Sequence, residues 1–122
     1  MKINELYSLL NGHDGFNLEL REDVEYSYVF AGDLMSDVLA LVNDGDSKTV
    51  LLTGLANAQS LRTAEMLDIG LVILVRGKTF REEDLEVAKE ANIAIFTTDM
   101  LMFEASGNLY ANNLKGVPND TY

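Results

Sequence analysis

The sequence predicts an α/β fold, a three-layer sandwich on a mainly parallel sheet of about four to five strands. Three observations predict it. From residue 48 onward, short apolar runs alternate regularly with helical periods. The runs VLL, LVILV and IAIF show no polar alternation, as expected of strands covered on both faces. The helical stretches between them are long enough to supply the crossovers that parallel neighbours require.

Taken in order, Ile3, Leu6, Leu9 and Leu10 fall at helical spacing and predict a short amphipathic helix before a turn-like NGHDG at 11–15. VEYSYVF at 24–30 reads as a strand that halts at Ala31-Gly32-Asp33. Asp33 is placed to N-cap DLMSDVLALV, whose Leu34, Val38, Leu41 and Val42 share one helical face. NDGDS then breaks that helix, with Asp44 and Asp46 as turn residues. Strands follow near 49–53, 71–75 and 93–96, side by side and parallel, with helices from about Asn57 to Asp68, Arg81 to Ala91 and Asp99 to Leu109. Asn57 and Asp99 read as caps. Met35, Met66, Met100 and Met102 lie in predicted helices, where they fill gaps in the core or at an interface. No linker, repeat or low-complexity segment divides the chain, so 1–122 reads as one domain with a core at about 24–110 and a frayed tail at 115–122.

The chain has 122 residues and a formal net charge of -11. That excess opposes docking on nucleic acid or an anionic membrane surface. Residues 1–46 carry ten acids and two bases, so most of the excess lies at the front. There is no cysteine and one histidine, His13, which excludes disulfides, thiolate sites and imidazole clusters. No metal and no cofactor are expected. The N-terminal MKINELYSLL is too short and polar for a signal peptide, and no apolar run approaches membrane-spanning length, so the expected location is cytoplasmic.

In an open parallel sheet, ligands bind at the carboxyl ends of the strands. Four such corners are legible: Ala31-Gly32-Asp33, Thr53-Gly54-Leu55-Ala56-Asn57, Arg76-Gly77-Lys78-Thr79 and Thr97-Thr98-Asp99. The second has neither GxGxxG nor the Walker spacing. It is a tight strand-to-helix turn in which Thr53, Gly54, Asn57 and Gln59 offer polar contacts. The third is distinctive, because Arg76, Lys78 and Arg81 are three of only nine cations. Either they hold an anion, or they pair on the surface with Glu82, Glu83 and Asp84. The candidate ligand-binding residues are therefore Thr53, Gly54, Asn57, Gln59, Arg76, Gly77, Lys78, Thr97, Thr98 and Asp99, with no catalytic residue assigned. His13, in a glycine-flanked turn, reads as an exposed loop residue.

AGDLMSDVLALV, TVLLTGLANAQSLRTAEMLDIGLVILVRGK and EEDLEVAKEANIAIFTTDMLMFEASGNLY together resemble the DRTGG domain, over roughly residues 30–110. Gly54-Leu55-Ala56 stands where that pattern has Gly-Asp-Arg, and Arg76-Gly77 where it has Gly-Gly. The family is similar to the N-terminal domain of HPr kinase/phosphorylase and occurs beside CBS domains and in some phosphotransacetylases. The resemblance implies an α/β fold and a regulatory or accessory role without chemistry of its own.

Two functions follow as expectations. The first is a non-catalytic regulatory module that senses an anionic metabolite or nucleotide, or docks on a partner enzyme. The second is a small enzyme acting on a phosphorylated or carboxylated molecule, with Arg76 and Lys78 holding the anion and Asp33 or Asp99 as general base. The five methionines and aromatic-rich VEYSYVF and FEASGNLY, in a small domain, also predict a homodimer or a stable partner contact.

Overall fold

Alternation along three buried strands generates two cores, one on each side of a sheet. In β3 (Thr49–Thr53), Val50 and Leu52 face one core and Leu51 the other. In β4 (Leu71–Leu74), Leu71 and Ile73 oppose Val72 and Leu74. In β5 (Ala94–Thr97), Ala94 and Phe96 oppose Ile95. Both faces being covered explains why these segments show no polar alternation. Each fully buried Leu, Ile or Phe contributes roughly 1.5–3 kcal/mol relative to exposure.

The computed structural model describes residues 1–42 and 48–118. The turn assigned to Asp44 and Asp46, and the end of the tail beyond residue 118, lie outside the described residues. With β1 (His13–Phe16), β2 (Tyr28–Ala31) and β6 (Lys115–Gly116), the strands form a six-stranded sheet in the order β1-β5-β4-β3-β2-β6. Only β1 is antiparallel to its neighbour. The three predicted central strands are adjacent and parallel, Leu51 pairing with Val72 and Val72 with Ile95.

The helices are α1 (Ile3–Leu9), α2 (Met35–Leu41), α3 (Ala58–Met66), α4 (Glu82–Ala91) and α5 (Met102–Ala111). A right-handed connection moving one way along a sheet lays its helix on one face, and a connection moving the other way uses the opposite face. The chain steps β2-β3-β4-β5 in one direction, and α2, α3 and α4 pack together on one core through Val38, Leu61 and Ala88. From β5 it must return across the sheet to β6, and α5 joins α1 on the other core through Ala105, Leu109 and Leu6. The three layers expected from the sequence are thereby accounted for.

The strand count exceeds the four to five expected, for two local reasons. NGHDG is not only a turn: His13 opens β1, whose pairing with β5 is irregular, with Asp14 at φ 52. Lys115–Gly116, placed in the frayed tail, are tied to the edge by the Lys115 amide donating to the Ser27 carbonyl at 3.0 Å. The strand expected over 24–30 is shifted to 28–31. Residues before it are used in reaching the sheet, Tyr26 and Met1 exchanging two 2.7 Å backbone hydrogen bonds. Neither Asp33 nor Asp99 caps a helix; the cap positions fall to Leu34 and Leu101, without side-chain caps. Met35 is a core residue as expected, whereas Met66 is exposed.

Tyr26 is buried, and its hydroxyl has no hydrogen-bond partner among the described residues. Burial pushes this phenol up to about 12, with Arg21 opposing the shift. A buried unsatisfied hydroxyl costs about 1–3 kcal/mol. Tyr26→Phe should therefore raise the unfolding free energy, by about 1 kcal/mol, in urea denaturation. A variant less stable than the parent would show that the hydroxyl is satisfied.

Candidate functional site

The carboxyl ends of the parallel strands all lie on one edge, so the four corners read from the sequence come together there. They are not equivalent. After β4 the chain turns to α4 on one face, and after β5 it turns to α5 on the other. Adjacent strands whose connections diverge in this way open a crevice at the sheet edge, the usual ligand position in open α/β sheets. Residues 75–79 and 97–101 flank that divergence.

The β4 corner is a tight turn in which the Lys78 amide donates to the Val75 carbonyl at 3.2 Å. Both central residues are left-handed, Arg76 at φ 61 and Gly77 at φ 67, a combination that defines a type I′ turn. Glycine adopts that conformation freely and arginine does not. The strained residue is held from both sides: the Arg76 amide donates to the Met100 carbonyl at 2.9 Å and the Gly77 amide to the Thr98 carbonyl at 3.0 Å. Arg76, Gly77 and Lys78 are exposed.

Of the two fates open to the basic residues, surface pairing holds for Arg81 alone, which meets Glu83 at 3.0 Å and Asp84 at 3.4 Å. Among the described residues neither Arg76 nor Lys78 forms an ion pair. The Arg76 guanidinium lies over Gly54: a Cβ added there would be 2.9 Å from one of its terminal nitrogens and 3.4 Å from an Asp33 carboxylate oxygen. Gly54 has no positive φ, and a side chain there would first meet the movable end of Arg76.

Most other polar groups at the edge are committed internally. Asp33 accepts from the Thr53 hydroxyl at 2.9 Å and from the Gly54 amide at 2.6 Å. The Leu55 amide donates to Thr53 Oγ1. Asn57 caps α3, as expected, by accepting from the Gln59 amide at 2.9 Å. Thr97 donates its hydroxyl to the Lys78 carbonyl and Thr98 to the Leu10 carbonyl. Thr53, Thr97 and Thr98 are accordingly buried fasteners, while Arg76, Lys78, Asp99 and Gln59 are exposed.

His13 belongs to this edge, which the sequence did not reveal. On β1 it stands between two carboxylates, Nδ1 at 2.8 Å from Asp14 and Nε2 at 2.8 Å from Asp99. The antiparallel pairing of β1 with β5 brings residue 13 beside residue 97 across 84 positions of chain; a four-residue strand without alternation carries no local signal of that. Next to it lies a cleft of about 380 Å³, with Phe16, Phe80, Leu85 and Ile95 as apolar walls and Asp14, Thr79 and Thr97 supplying polar groups. Its size falls in the small-molecule range.

No protein-family model and no curated protein matches the sequence. A solved structure resembles it: the CBS and DRTGG domains of the regulatory region of Clostridium perfringens pyrophosphatase, complexed with the activator diadenosine tetraphosphate. The TM-score is 0.67 at 19% identity, over 88% of this chain and 45% of that one. The likeness is one of fold, and this chain spans under half the length of its neighbour. Among the described residues, no helix is long and apolar enough to cross a membrane.

The His13 imidazole is raised above the ordinary 6.5, first by its hydrogen bond to Asp14 and then by that to Asp99. A raised folded value means that protonated His13 stabilises the fold fully below the unfolded value, and that this contribution is lost as pH rises through the folded value. As the only histidine, His13 gives a single imidazole signal to titrate by NMR. Its midpoint should exceed 6.5 and fall in Asp99→Asn. The same variant should flatten the decline of stability as pH rises from 6.5 through the folded midpoint.

Proposed function

We propose that this chain is a DRTGG-type regulatory module that binds an anionic, nucleotide-like ligand at the β4/β5 edge and does not itself catalyse a reaction. The observation that carries the proposal is the pair Arg76 and Lys78: exposed, without ion partners among the described residues, on the turn where the crossovers diverge. A chain of net charge -11 repels anions at long range, so a bound anion requires such a local concentration of positive charge. Arginine also presents a planar fork suited to phosphate or carboxylate.

Three further observations support the reading. The cleft beside Thr79 and Thr97 offers an apolar recess for a ring next to the anion corner, favouring a nucleotide over a bare phosphate. The fold is shared with a regulatory region that was crystallised with a nucleotide activator. The DRTGG pattern has Gly-Gly where this chain has Arg76-Gly77, and both positions are left-handed here, the conformation that glycine tolerates best. Placing arginine in that conformation costs roughly 1–2 kcal/mol, which a functional role for its side chain accounts for.

The enzyme reading is less well supported. Its two candidate bases are already committed as acceptors, Asp33 to Thr53 and Gly54 and Asp99 to His13. The module acts in the cytoplasm, as a homodimer or docked on a partner enzyme, with Thr53, Thr97 and Thr98 fastening the strand-end corners and Gly54, Asn57, Gln59 and Asp99 beside them on the same edge. Arg76 and Lys78 supply its charge.

Isothermal calorimetry with diadenosine tetraphosphate, ATP, AMP and inorganic phosphate as probes tests the proposal. Combining Arg76→Gly with Lys78→Ala should weaken binding by about 1–3 kcal/mol, the usual loss for charge-assisted hydrogen bonds. The fold should be at least as stable, because glycine relieves the left-handed strain. Unchanged affinity in the double variant, or no binding of any probe to the parent chain, would remove the anion site. Turnover of a bound probe would restore the enzyme reading.

A further inference from the structure

One imidazole faces two carboxylates at the end of β1. His13 Nδ1 lies 2.8 Å from Asp14 and Nε2 lies 2.8 Å from Asp99. An ionised carboxylate only accepts hydrogen bonds, and a neutral imidazole donates from one nitrogen alone. Both contacts are therefore hydrogen bonds only while the ring carries both protons. Once it loses one, a carboxylate is left without its donor.

Asp99 is also a neighbour of the basic turn. A Cβ added at Gly77 would be 3.1 Å from Asp99 Oδ1, the same oxygen that meets His13. Gly77 has no side chain, so nothing at the centre of the turn screens that carboxylate from Arg76 and Lys78, whose long exposed side chains start on either side. The carboxylates of Asp14 and Asp99 are the charges that act on His13. Helix α1 brings the uncharged Tyr7 ring against the adjoining Gly12. Asp33, across Gly54 from Arg76, is a third carboxylate on the edge, set against the two cations of the turn. Counted together, these groups are neutral with His13 protonated and negative without its proton.

We propose that His13 is a proton switch on the anion site. Protonated, it compensates Asp99 and leaves Arg76 and Lys78 open to an anion; deprotonated, it leaves the Asp99 charge uncompensated beside them, where it repels the ligand and draws on the same cations. The inference rests on the anion site proposed above and adds its regulation. Hydrogen bonds to Asp14 and then to Asp99 raise the imidazole above 6.5, so affinity declines as pH rises from there through the folded midpoint. Linkage makes the coupling reciprocal, and a bound anion raises His13 further. The direction is opposite to that of a ligand's own ionisation, because a phosphate gains negative charge as pH rises.

Calorimetry from about pH 6 to about pH 9, a range that spans imidazole titration, tests the switch on the parent chain, His13→Gln and Asp99→Asn. The probes are diadenosine tetraphosphate, ATP, AMP and inorganic phosphate, and circular dichroism confirms that each variant is folded. Across that range the parent should lose about fivefold in affinity relative to His13→Gln, the low end of coupling between sites, because these groups are exposed and screened. The comparison with His13→Gln cancels the ionisation of the probe itself. Asp99→Asn should bind more tightly than the parent at the alkaline end and lose the same pH dependence, whereas a purely structural role for Asp99 would weaken binding throughout. A parent whose pH profile matches that of His13→Gln, or an Asp99→Asn chain that binds no more tightly at the alkaline end, would overturn the switch while leaving the anion site standing. Failure of every probe to bind at any pH would overturn both.

Discussion

Strands β3, β4 and β5 bury both faces, and most of the molecule follows from the need to cover them. Their side chains divide between two cores that share one backbone layer: Val50, Ile73 and Phe96 serve one, and Leu51, Val72 and Ile95 the other. Helices must therefore lie on both sides. The chain provides α2, α3 and α4 while stepping along the sheet, and α5 when it turns back towards β6. The reversal that covers the second face also makes the connections after β4 and β5 diverge. One constraint thus produces both the stability of the sheet and the point at its edge where the connections part.

At that edge the polar groups sort into two kinds. Thr53, Thr97 and Thr98 are buried, and their hydroxyls fasten neighbouring loops. Arg76 and Lys78 project outward from a turn whose amides are already bonded inward. A turn rigidly bonded on its inner side can present charge on its outer side without reorganising when a ligand arrives. His13, between Asp14 and Asp99, joins the edge strand to the β5 corner with a protonation-dependent link, giving the same edge some sensitivity to pH.

The two faces of the sandwich also present different surfaces. Helix α4 is strongly acidic at its start, with Glu82, Glu83 and Asp84 in its first turn, where the helix dipole favours negative charge. Helix α5 exposes aromatic side chains around a glycine and carries little charge.

The sequence by itself determined the fold class, the three central strands and their parallel order, and the cap at Asn57. Those features are written in local patterns: unbroken apolar runs, 3.6-residue periods, and a side chain that reaches an amide two residues away. It also marked Arg76 and Lys78 as unusual, because cations are rare in this chain. Only the tertiary structure decided the rest. Asp33 and Asp99 have the sequence look of caps, but Thr53, Gly54 and His13 offer them donors from 20 to 86 residues away, and those contacts override the local preference. His13 and Lys115 became strand residues because the edges of a sheet accept short, irregular backbone pairing that leaves no hydrophobic signature. Whether Arg76 would be paired or free depended on where the β4 turn aimed it, and a φ of 61 is a property of the folded loop that no spacing of residues encodes.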